Sequence, residues 1–141
     1  MRRSTRAFLP VTLFLGSVAA MENPMSDPGF SPLEKKTIDA AIAALTEPEE
    51  MRRAMQGSST RKVANYLCRP LAAHLLASQM AGADELVLGT DDPHSLRLVN
   101  HRRLDGSGSV HVHGGTVSFH FSCTLNPQTG HASDFVVTYR P

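Results

Sequence analysis

The 141-residue chain has no tryptophan, only two tyrosines and two cysteines, and no marked excess of either charge: fourteen Lys and Arg stand against thirteen Asp and Glu. Each shortage removes a class of function. A nucleic-acid surface needs a concentrated basic face. Here Arg52-Arg53, Arg61-Lys62 and Arg102-Arg103 are scattered along the chain and read as solvated surface charge, so no nucleic-acid partner is expected. The two cysteines lack the Cys-x-x-Cys spacing of a redox motif. No Gly-x-Ser-x-Gly elbow is present to hold a nucleophilic serine. No internal repeat or low-complexity tract is visible.

Long hydrophobic runs are also missing. The uncharged, mostly apolar stretch from Ala7 to Ala20 spans about 14 residues, against the ~20 needed to cross a bilayer, and Pro10 and Gly16 interrupt it. Arg2, Arg3 and Arg6 precede it, and Val18-Ala19-Ala20 closes it with small residues. A basic start, an apolar centre and a small-residue end form a secretory signal peptide. Residues 1–20 are therefore expected to be a leader cut after Ala20, the alternative being translation from Met21 or Met25. No cysteine follows the cut, so no lipid anchor is expected, nor any membrane span after cleavage. Removing the three leader arginines leaves eleven basic against thirteen acidic residues, a net charge of −2. The expected location is periplasmic or secreted.

In an oxidising compartment an even cysteine count points to a disulfide. Cys68 and Cys123 allow a single intramolecular pairing. Closing that loop contributes roughly 4 kcal/mol on the chain-entropy account. Two buried free thiols are the alternative.

Residues 21–30, rich in Pro, Gly and polar residues without a period, read as a flexible arm. Residues 31–141 read as one domain. A helix begins with Ser31 as N-cap, Pro32 in the first turn and Glu34 completing a capping box. Leu33, Ile38, Ala41, Ile42 and Leu45 give it an apolar stripe. A second short helix opens near Thr46 and ends at Gly57-Ser58-Ser59. A third spans roughly Thr60 to Met80, its stripe formed by Val63, Leu67, Leu71 and Leu75, with a break or kink at Pro70 and a stop at Gly82. His74 lies beside that stripe and reads as a core or boundary residue.

The pattern then changes to strands. Glu85–Leu88 is one, and Gly89–Ser95 is a turn. Asp91-Asp92 in that turn lacks the further oxygen ligands of a calcium loop. Leu96–Leu104 reads as a second strand, its broken alternation reconciled by a bulge between Val99 and Arg103. Asp105-Gly106-Ser107-Gly108 reads as a turn. It lacks the lysine and following helix of a phosphate loop. Asn126–Gly130 is another turn, and Ala132–Tyr139 a last strand.

The segment from Ser109 to Cys123 organises the rest. Apolar and polar residues alternate on both sides of Gly114-Gly115, the signal of a β-hairpin. With those glycines as the two loop residues, Val110, Val112, Val117, Phe119, Phe121 and Cys123 share one face. His111, His113, Thr116, Ser118, His120 and Ser122 share the other. The fold class expected is α+β: N-terminal helices packed on a C-terminal antiparallel meander.

Gly106-x-Gly108, Phe119-x-Phe121-x-Cys123, Asn126-Pro127-x-Thr129-Gly130 and Phe135, with an earlier helix bearing Cys68, resemble small exported alphaproteobacterial proteins of domain-of-unknown-function families. The resemblance covers the last third of the chain and the cysteine helix. It implies a periplasmic setting and brings no catalytic residues.

One constellation has ligand chemistry. His111, His113 and His120 fall on the polar face of the hairpin, with His120 diagonal to His111 in the expected register. Three imidazoles suit Zn, Cu or Ni. No cofactor is otherwise implied. The function expected is that of a non-catalytic binding or interaction module with a protein or small-ligand partner in the periplasm. Metal binding or handling through the histidine face is the alternative.

Overall fold

The computed structural model describes residues 30–139. The expected leader and the arm up to residue 29 lie outside the described residues. Phe30, at the arm's end, is half-buried against the core.

The first helix, α1 (Pro32–Ala43), starts as its capping signature requires. The Ser31 hydroxyl accepts the Glu34 N–H and Glu34 Oε1 accepts the Ser31 N–H, both at 3.1 Å. Two of the helix's orphan donors are thereby satisfied. The same hydroxyl donates to the Pro127 carbonyl at 3.0 Å, which fastens the start of α1 to a turn near the other end of the chain. Helix α2 (Pro48–Gln56) follows, with Glu47 at the N-cap position but no side-chain capping bond, and without a fully buried residue.

The expected third helix is a continuous run of α3 (Ser59–Val63), a π-helical turn (Ala64–Cys68) and α4 (Arg69–Gln79). In the π turn the Arg69 N–H reaches back to the Ala64 carbonyl. Pro70 follows directly on this widened turn, and a π turn is one of the local adjustments that lets a helix run past a proline's missing N–H. The wider turn also rephases the apolar stripe. Val63 and Leu67 are succeeded in the core by Cys68, Ala72 and Leu76, while Leu71 and Leu75 are only half-buried. The same rotation leaves His74 exposed instead of at the core boundary.

Five strands form one antiparallel sheet: β1 (Asp84–Leu88), β2 (Leu96–Val99), β3 (Arg103–Val112), β4 (Gly115–Asn126) and β5 (His131–Tyr139). Their order is β1-β3-β4-β5, with β2 also on β3. Leu88 pairs with Gly108 and Leu96 with Gly106, so β1 and β2 are two segments of one edge strand. Residues 89–95 loop out between them opposite Ser107, whose carbonyl accepts the Gly89 N–H at 2.7 Å.

Three sequence expectations are corrected. The hairpin turn is His113-Gly114, with Val112 opposite Gly115 and Val110 opposite Val117. Gly114 supplies the positive φ, +95°, at the second turn position, and His113 needs none. Residues 105–108 belong to β3 and are not a turn. The turn lies instead at Asn100-His101-Arg102, where Asn100 and His101 take φ of +50° and +57°, so Val99–Arg103 is a hairpin and not a bulge. Asn and His are among the non-glycine residues that enter this region most readily.

The helices cover one sheet face. Ile38, Ile42, Val63, Leu67, Ala72 and Leu76 meet Leu88, Leu104, Val110, Phe119, Phe121 and Phe135 there. Phe121 and Phe135 stack at 5.0 Å between ring centroids, and Phe119 meets Phe121 edge-on at 6.3 Å. Cys68 and Cys123, both fully buried, form a disulfide with Cα atoms 6.1 Å apart. It joins the π turn to β4. The architecture is α+β, with the meander in the C-terminal part.

Candidate functional site

With helices on one side, the other sheet face is open among the described residues. Strand alternation decides which residues it carries. The pairing register arranges them in rows across the strands. Arg97 of β2, Asp105 of β3, Ser122 of β4 and Val136 of β5 form one row. Ser107, His120 and Thr138 form the next. Val87, Ser109 and Ser118 form a third, and Asp84, His111 and Thr116 a fourth. Hydroxyls dominate the middle of this face.

The interrupted edge gives the face relief. A depression of about 530 Å³ lies beside the loop, lined by Thr90, Ser107, Ser109, Thr116, Ser118 and His120. No carboxylate, ammonium or guanidinium lines it. A second, of about 320 Å³, is lined by His94, Ser95, Arg97, Asp105, Ser107 and His120. Ser107 and His120 border both. The loop's backbone is held by local bonds: the Thr90 N–H donates to Ser95 Oγ at 2.8 Å and the His94 N–H to Asp92 Oδ1 at 2.8 Å. The Arg61 guanidinium donates to the Thr90 carbonyl from below.

The three histidines do not converge. His111 stands opposite Thr116, while His120 stands opposite Ser107, four residues away along β3. His113 occupies the turn. The cause is the turn's position, since moving it one residue toward the N-terminus displaces every cross-strand partner by two. Among the described residues no three His, Cys, Asp or Glu side chains are grouped to hold a metal ion.

His111 has a different partner, one that sequence reasoning missed. Its Nδ1 lies 2.9 Å from Asp84 Oδ1, directly across β1–β3. A carboxylate accepting from Nδ1 leaves Nε2 as a free acceptor. The pair is more than half exposed, at 52% and 67%. Among the described residues no serine or threonine hydroxyl is hydrogen-bonded to either His111 or His120. Asp84 sits just before the bulge at Glu85, where φ is +44°. Its polar character within an edge strand was the available signal, but its cross-strand partner depends on a pairing that local pattern does not encode.

Asp105 is satisfied from two sides. Arg103 Nε lies 3.0 Å from Oδ1 and donates to Oδ2 at 3.2 Å, and Ser122 Oγ donates to Oδ1 at 2.8 Å. Arg97, its neighbour across β2–β3, has no ion pair among the described residues.

Away from the open face, Tyr66 on the π turn has a displaced pKa. Burial raises its phenol above the ordinary value, Glu50 adds to the rise and Arg69 opposes it. No helix among the described residues is long and apolar enough to cross a membrane. Comparison with protein-family models, with curated proteins and with solved structures gives no significant match.

Proposed function

We propose that the protein is a non-catalytic binding module, exported to the periplasm or beyond, that takes its partner on the open face of the sheet. The observation carrying this reading is the face itself: a five-stranded sheet that, among the described residues, is covered by helices on one side only, with two adjoining depressions where its edge strand loops out. Ligand sites are concave, with a small number of placed polar groups that fix the ligand's orientation. Export is supported by the Arg2–Ala20 leader pattern and by the Cys68–Cys123 bridge, since disulfides persist in oxidising compartments. The resemblance to exported alphaproteobacterial proteins supplies the same setting.

The test is capture of partners from periplasmic extract by the protein and by a Ser109→Arg/Ser118→Arg variant. These residues pair across β3–β4 on the open face, Ser118 exposed and Ser109 half-buried. A partner held by the protein in the presence of chelator and released by the variant is the expected result. A partner held equally by both places binding elsewhere and removes the reading.

A further inference from the structure

We propose that the open face binds an acidic saccharide, its hydroxyl-rich ring in the larger depression and its anionic group in the smaller one. This rests on the reading of that face as the binding surface and names its ligand.

The two depressions differ in chemistry and share a border. The larger is lined by the hydroxyl-bearing residues Thr90, Ser107, Ser109, Thr116 and Ser118 together with Gly89, Gly108, Phe119 and His120. A hydroxyl both donates and accepts. A cluster of them without fixed charge matches a ligand whose groups also do both, which describes the hydroxyls of a sugar ring. A charged ligand body would lose hydration there with no counter-charge in return.

The smaller depression adds what the larger lacks. Arg97 brings a guanidinium with no ion pair among the described residues. His94 and His120 bring imidazoles and Ser107 a hydroxyl donor, while the Ser95 hydroxyl already donates to the Thr90 carbonyl at 3.4 Å. A guanidinium presents a planar fork of donors matched to carboxylate or phosphate. The one carboxylate in the lining, Asp105, is already engaged by Arg103 and Ser122. Asp91 and Asp92 of the same loop line a separate depression with Arg61 and Ser58. The positive charge of Arg97 is therefore available to an outside anion. Ser107 and His120 border both depressions, so a single ligand can span the hydroxyl-lined and the cationic parts.

The experiment is an amide-resolved NMR titration of the purified protein with four probes: glucuronate, glucose 6-phosphate, glucose and inorganic phosphate. Shifts on Ser107, Ser118 and His120 are expected with both acidic sugars if the site reads charge alone, and with one if it also reads anion shape. The acidic sugar is expected to bind at least tenfold more tightly than glucose or phosphate. Arg97→Ala should reduce its affinity to that of glucose, with Arg97→Lys in between. Ser118→Tyr should block glucuronate and glucose alike. Acidic sugars no tighter than phosphate, or an Arg97→Ala variant with undiminished affinity, overturn the proposal. So does a protein partner lost from the Ser109→Arg/Ser118→Arg variant while no sugar shifts this face, and that result leaves the binding-module reading intact.

Discussion

Gly108 stands directly opposite Phe119 across β3–β4, and a Cβ on Gly108 would lie 2.7 Å from the ring's Cζ. Gly106 repeats the relationship with Phe121, at 3.2 Å from Cε1. At Gly106 the Ser95 carbonyl oxygen at 2.6 Å and Leu96 Cδ2 at 2.8 Å come closer still, so the Gly-x-Gly of β3 marks close approach by the Phe119 ring at Gly108 and chiefly by residues 95–96 at Gly106. Gly108→Ala also meets the Val87 carbonyl oxygen at 2.9 Å, which is sheet backbone and cannot swing aside. Overpacking of this kind costs about 1–3 kcal/mol. The lost chain entropy of the unfolded state offsets only about 0.4–1 kcal/mol. A net destabilisation is expected in the urea midpoint, and an unchanged or raised midpoint would show that Phe119 packs elsewhere.

The two faces of the hairpin should separate in stability. Phe119 is 2% exposed among core residues, whereas Ser118 beside it faces solvent. Phe119→Ala should cost about 3–5 kcal/mol through transfer and cavity terms. Ser118→Ala should stay within about 0.5 kcal/mol. Denaturant midpoints of the two variants provide the measurement, and equal small effects would contradict the face assignment.

That assignment was legible in the sequence although the turn was not. Reading Gly114-Gly115 as the loop places Val110 opposite Phe119, whereas the structure pairs Val110 with Val117. A turn displaced by one residue moves partners by two, and a shift of two preserves side-chain parity. Every core-facing residue of β3 and β4 therefore stayed on its expected side, while the proximity of His111 and His120 was lost. The α1 capping box and the Cys68–Cys123 pair were legible because each rests on local chemistry or on simple counting. The π turn, the looped-out edge and the Asp84–His111 pair were not. Each arises from how distant segments meet, and the break in alternation around Val99 had two local explanations of equal simplicity.

The disulfide should account for a large share of stability. Cys68 and Cys123 have no solvent exposure, and their bridge closes a sequence separation of 55. Replacing both by alanine should cost about 4 kcal/mol on the loop-entropy account. Thiol titration of the unfolded, unreduced protein should find no free thiol before reduction and two afterwards. Two free thiols in material taken from an oxidising compartment would rule the bridge out.

Alkaline pH should weaken the fold partly through Tyr66. Burial holds its folded-state pKa above the ordinary value, which is about 10 for a free phenol. Below that pH both states keep the proton and no pH dependence arises from this group. Above it the unfolded state releases the proton first, so stability falls as pH rises through the folded-state pKa. Tyr66→Phe removes that component. Above about pH 10 the protein should lose more stability with rising pH than the variant, and parallel curves would assign the loss to other groups.

Zinc titration gives the most direct test of the β3–β4 register. His111 and His120 are four residues apart in that register, or about 13 Å along a strand rising roughly 3.3 Å per residue. Two imidazoles bound to one ion lie about 2.0–2.1 Å from it, so the pair cannot share a metal without re-registering the hairpin. Any zinc taken up at His111 should instead depend on Asp84, which holds Nδ1 and leaves Nε2 to coordinate. Calorimetric binding is expected to be weaker than about 100 μM, or about −5.5 kcal/mol. His111→Ala and Asp84→Asn should weaken it further, and His120→Ala should leave it unchanged. Sub-micromolar binding abolished by either His111→Ala or His120→Ala would instead require Gly114-Gly115 as the turn, with the two imidazoles diagonal neighbours on one face.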